Sequence, residues 1–153
     1  MILLPATFAL WAGTAVATTA ALTLPIAALG PLLVLAAGFE AIYALHINVE
    51  RIGRYIQVYH ETDGGWEHVA MAFGRRFPGR GPDALFSTLF LIATALNYLP
   101  VALMSDSYLE MGAFGVLHLL LALHIGTARS RASKQRTQDL EHFTALRDEP
   151  PTR

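Results

Sequence analysis

The chain contains no cysteine. Disulfides, thiolate zinc sites and iron–sulfur clusters are therefore excluded by composition. Charge is scarce as well: Asp, Glu, Lys and Arg make up 15% of the 153 residues, where a soluble domain carries about a quarter. The first 39 residues carry no charge, and the windows from Ala84 to Ser105 and from Met111 to Ala128 carry none either. These stretches approach or exceed the roughly 20 residues that cross a hydrocarbon core of about 30 Å. A soluble protein would have to bury nearly all of them and would keep little to make a wetted surface. No Lys or Arg precedes the first apolar run, so the basic start of a secretory signal is missing too. Also absent are a His-Glu-x-x-His zinc motif, a Glu-x-x-His pair, a phosphate-binding glycine loop and any nucleic-acid motif. No nucleic-acid partner is expected.

What remains is apolar: 54% of residues are hydrophobic and the mean hydropathy is +0.42. The pattern predicts an all-α fold, an integral membrane four-helix bundle with spans at about 2–22, 27–50, 84–103 and 108–127. A loop over 51–83 and a polar tail over 129–153 lie between and after them. All 11 Lys and Arg fall in the stretch from Arg51 to Arg80 or in the tail from Arg129 onward. With four spans both places are on one side, so the positive-inside rule predicts a multi-pass inner-membrane protein with both termini cytoplasmic.

The second helix is expected to outrun the membrane, since Ile52, Ile56 and Tyr59 keep helical spacing. Glu50 and Arg54 form a favourable i,i+4 pair there. After the turn "ETDGG", the segment "WEHVAMAFGRRF" places Trp66, Phe73 and Phe77 on one face with Arg75 and Arg76 nearby. That pattern fits a cytoplasmic amphipathic helix at the membrane interface, or a plug beneath the bundle. The tail is expected to be partly ordered. In the first helix Ala9, Gly13, Ala17 and Ala21 make a small-residue stripe, expected to pack closely on the second helix.

The candidate site comes from polar residues inside apolar runs. Counting inward from Arg51 and from Arg129 puts Glu40 level with His118, and His46 level with His124. Tyr43 and Asn97 extend the same buried polar seam. An ionisable group in mid-bilayer costs several kcal/mol unless it is paired, protonated or hydrated, so Glu40 stands out. Three chemistries fit these residue types. His46, His118 and His124 are candidate ligands for haem b between facing helices. Glu50, His60 and His68, with Glu61, Asp63 and Glu67 close by in the sequence, are candidate metal ligands on the cytoplasmic side. Glu40 with Asn97 and His118 could instead line a proton or small-solute path in an oligomer. The leading expectation is a small membrane subunit acting with a protein partner or further copies of itself in the lipid bilayer.

Overall fold

The computed structural model describes residues 2–21, 25–62, 64–77 and 82–149. Among the described residues there is no strand. Helix α1 spans Leu3–Ala21, and a 3-10 turn, Pro25–Ala28, leads into α2, Leu29–Tyr59. Helix α3 spans Trp66–Arg76, α4 spans Pro82–Met104 and α5 spans Tyr108–Asp148. Four of these, α1, α2, α4 and α5, are long and apolar enough to cross a membrane. The all-α bundle of a multi-pass membrane protein is therefore what the chain builds.

The chain divides into two compact units. The first comprises residues Met1–Tyr43 and Leu85–Thr127. Its core is aromatic: Phe39 and Phe90 are fully buried, Phe39 stacks on Phe86 at 5.3 Å, and Phe90 meets both Phe8 and Phe39. Leu35, Val101 and Ile125 complete it. The outer surface is also apolar, with Leu10, Val16, Ile92, Leu96, Leu103 and Val116 all exposed. Such a surface suits hydrocarbon and not water.

Helix α1 turns to α2 a face that differs from the expected one. Ala9, Gly13, Ala17 and Ala21 are exposed, and a Cβ added at Gly13 would meet nothing within 4 Å. The packed face carries Thr7, Thr14 and Thr18 instead, and the close approach comes from glycines on α2. A Cβ at Gly38 would lie 2.9 Å from Thr7 Oγ1 and 3.1 Å from Thr7 Cβ. Each threonine hydroxyl donates back to its own helix, to the carbonyls of Leu3, Leu10 and Thr14. The face thereby stays polar in composition and has its donors satisfied without a partner helix.

The second unit comprises Ala44–Ala84 and Ala128–Arg153. Here α2 does run on to Tyr59, as its periodicity predicts. The expected tail is helical: α5 continues to Asp148. Its reason is a set of side chains spaced to meet α2. Ala128, Ala132 and Asp139 are buried. Arg136 pairs with Glu50, its Nη2 donating to Oε1 at 2.6 Å, and Arg51 Nε donates to Asp139 Oδ2 at 3.2 Å. Gln135 occupies the other Asp139 oxygen at 2.9 Å, and Phe143 packs edge-on against Tyr55 and Tyr59. Glu50 therefore pairs across to α5, and the expected i,i+4 partner Arg54 turns elsewhere.

Helix α3 is held to α2 through its polar side. Arg54, with a side chain only 6% exposed, donates from Nη2 to Glu67 Oε2 at 3.0 Å. Gly53 makes room, since a Cβ there would stand 2.7 Å from Glu67 Oε2. The Glu61 carboxylate sits at the start of α3 and accepts from the backbone N–H of Glu67 at 3.0 Å and of His68 at 3.4 Å. It caps a helix end whose first N–H groups have no partner within the helix.

Candidate functional site

Within the first unit the predicted polar seam divides in two. One part is a closed network around Asn97, which is buried on α4. Trp11 Nε1 on α1 donates to Asn97 Oδ1 at 3.2 Å. That bond fixes the amide orientation, so Asn97 Nδ2 is the donor. It gives one hydrogen to the Ala28 carbonyl and faces His118 Nε2, both at 3.0 Å. On α5, buried His118 presents Nδ1 to the Phe114 carbonyl at 2.8 Å. A carbonyl only accepts, so His118 carries its proton on Nδ1 and accepts on Nε2. The imidazole is neutral, with both nitrogens used. Four segments are joined by one side chain whose two amide hydrogens are both used.

The other part is Glu40 with His124. His124 Nε2 meets Glu40 Oε1 in direct contact, and the His124 ring also stands edge-on to Phe39. The pair lies on the outside of the packed core: the Glu40 side chain is 55% exposed and that of His124 35%. Glu40 is 11 residues into α2 from Leu29, or about 16 Å along the axis. Its nearest exposed neighbours on α2 are Ala37, Ala41 and Ala44, with the exposed Leu33 and Leu45 one step further along. Either arrangement of the shared proton, carboxylate with imidazolium or carboxyl with imidazole, is neutral overall. That makes it far cheaper in a low-dielectric layer than a lone charge.

The pairing differs from the expected levels, because α5 meets α2 in another register. Glu40 and His124 are 84 positions apart, Glu50 and Arg136 are 86, and Arg51 and Asp139 are 88. Counting from Arg129 assumed 78. Arg129 does not mark where α5 leaves its partner helix, since the charged residues beyond it are themselves packing residues. Tyr43 stacks on Phe39 at 5.9 Å and His46 lies half-buried on α2.

The haem reading meets a chemical obstacle at His118, where neither ring nitrogen is available to iron without breaking the Asn97 network. His124 is turned to Glu40. The candidate ligands of the second unit are also engaged. Glu50 holds Arg136, His68 Nδ1 faces Glu61 at 3.2 Å, and His60 lies against the Tyr55 ring. Among the described residues no three His, Asp or Glu side chains come together as a metal site, and Asp63 lies outside those residues. Two participants were not expected from the sequence, Trp11 and the Arg54–Glu67 bond. A tryptophan inside a charge-free helix is the signal that could have revealed the first, because its N–H needs an acceptor once buried.

Hydrogen-bond donors also shape one group outside the apolar helices. The Glu61 carboxyl titrates below its ordinary range, first because the Glu67 N–H donates to it and then because His68 does.

No family model, curated protein or solved structure matches this chain.

Proposed function

We propose that the protein is a small membrane subunit that acts together with another membrane protein, and that the Glu40–His124 pair is where a partner helix meets it. The observation that carries this reading is an ionisable pair half-exposed on an apolar helix face, flanked by Ala37, Ala41 and Ala44. Small residues let a second helix approach closely, and a carboxylate offers it a strong acceptor within a medium that has no water to compete. The distribution of Lys and Arg supports placing both termini on the cytoplasmic side of the inner membrane.

A photo-crosslinking residue at position 41, in cells or native membranes, tests the partner reading. One discrete protein adduct, lost in Glu40→Gln and absent when the crosslinker is at Leu119, is the expected result. Adducts only to lipid at position 41 would overturn it. A second reading, an oligomeric proton or small-solute pathway centred on Glu40, is favoured by the direct carboxylate–imidazole contact, because such a pair can gain or lose a proton. Self-adducts at position 41 together with flux in proteoliposomes that disappears in Glu40→Gln would establish it over the first.

A further inference from the structure

We infer that α3 is a docking surface for the anionic face of a lipid bilayer. The basis is an inverted distribution of polarity. In water a helix on a protein surface turns its apolar side inward and its charges outward. Helix α3 does the reverse. Trp66 is 78% exposed, Val69 54%, Phe73 57% and Phe77 40%, and no residue of the helix is buried. Its acidic side is drawn inward. The Glu67 side chain is 20% exposed on Arg54, and the Glu61 side chain is 12% exposed beneath the helix start.

That inward side is built for the purpose. The Arg54–Glu67 bond, the room left by Gly53 and the Glu61 cap all hold α3 with its aromatic face outward. A helix held only by apolar contact would have rolled over to bury Phe73 and Trp66. The exposed face therefore faces a nonaqueous medium, and a chain with four membrane-crossing helices is always next to one. Tryptophan and phenylalanine are the side chains that settle at the headgroup boundary.

Charge decides which lipid. Among the described residues of 61–77 the carboxylates point inward, and the exposed charges are Arg75 and Arg76 in the last turn. By helical position Arg76 flanks the apolar face, and Arg75 lies nearly opposite it. An exposed guanidinium beside the aromatic face, with no exposed carboxylate among the described residues of 61–77, favours phosphate headgroups of anionic lipid over zwitterionic ones. This inference does not depend on the Glu40–His124 reading.

The absence of cysteine makes the test direct. Val69→Cys, carrying an environment-sensitive fluorophore, is reconstituted as the full chain in phosphatidylcholine vesicles with and without phosphatidylglycerol. Glu141→Cys on the exposed polar side of α5 is the reference. The expected result is that a shallow nitroxide-labelled lipid quenches the Val69 label and iodide does not, while the Glu141 label behaves the opposite way. Lipid quenching should fall when phosphatidylglycerol is omitted, and also in Arg75→Gln/Arg76→Gln. Iodide quenching of the Val69 label equal to that at Glu141 would overturn the inference. Shielding from both quenchers would overturn it too, by showing a protein over the face. Lipid quenching indifferent to phosphatidylglycerol would overturn the assignment to anionic lipid.

Discussion

Replacing Gly38 by Ala should destabilise the first unit, although the change adds only one methyl group to a helix. The new Cβ would stand 2.9 Å from Thr7 Oγ1 and 3.1 Å from Thr7 Cβ, and still closer to Thr7 Cγ2. Threonine is stiff at χ1, and turning it would also break its bond to the Leu3 carbonyl. Helix α1 must then shift as a whole. Overpacking of this kind costs about 1–3 kcal/mol, and better helix propensity returns up to about 1 kcal/mol. A net loss of about 1–2 kcal/mol is expected from these two terms. Gly13→Ala is the matched control, because nothing lies within 4 Å of its new Cβ; it should be neutral or slightly stabilising. Thr7→Ala removes both closest atoms, so the double variant should recover most of the loss, with a coupling of about 1 kcal/mol or more. Denaturation in mixed micelles of rising sodium dodecyl sulfate, followed by tryptophan fluorescence, measures the wild type and all four variants. If Gly38→Ala is no less stable than Gly13→Ala, or if Thr7→Ala fails to rescue it, the α1–α2 contact is not as described.

Further outcomes follow from the polar groups. Asn97→Leu leaves the Trp11 N–H and His118 Nε2 without their partner, and interhelical hydrogen bonds in membranes average about 0.6 kcal/mol with a maximum near 1.7. Loss of three bonds should cost about 2 kcal/mol in the same micelle titration, and a variant as stable as the wild type would contradict the network. The depressed Glu61 carboxyl stabilises α3 fully above its unfolded value, near 4.5, and loses that contribution as pH falls towards its lower folded value. A spin label at Ala72→Cys should therefore become more mobile as pH is taken below 4.5; in Glu61→Gln its mobility should be higher at neutral pH and flat through the same range.

The four membrane helices were legible because charge-free windows are a property of one segment at a time. So was the run of α2 to Tyr59, which rests on the spacing of Ile52, Ile56 and Tyr59. The helical tail was legible only as partial order. Residues 129–148 carry only a weak apolar repeat in Leu140, Phe143 and Leu146, and their order comes from Arg136 meeting Glu50 and Asp139 meeting Arg51, which are 86 and 88 positions away, together with Phe143 against Tyr55 and Tyr59. The candidate site was half legible. Glu40, Asn97, His118 and His124 stand out as polar residues in apolar runs. Which of them touch depends on the register between α2 and α5, and that is set by packing along the whole length of both helices. The role of Thr7 was hidden for a related reason: a stripe of small residues says that helices can come close, and the helix that needs the small residue is here the other one.

The Asn97 network has a consequence for how the chain is made. Trp11 and Ala28 emerge from the ribosome well before Asn97, and Asn97 before His118. A nascent chain holding only α1 and α2 carries in its apolar layer an indole N–H whose acceptor has not yet been synthesised. Arrival of α4 supplies that acceptor but brings an amide hydrogen that only α5 can take up. Each insertion step thus leaves one polar group waiting for the next helix, and a chain cut short at any of them is marked by it. Helix α5 closes the set, so the polar core of the first unit is complete only once His118 has entered beside Asn97.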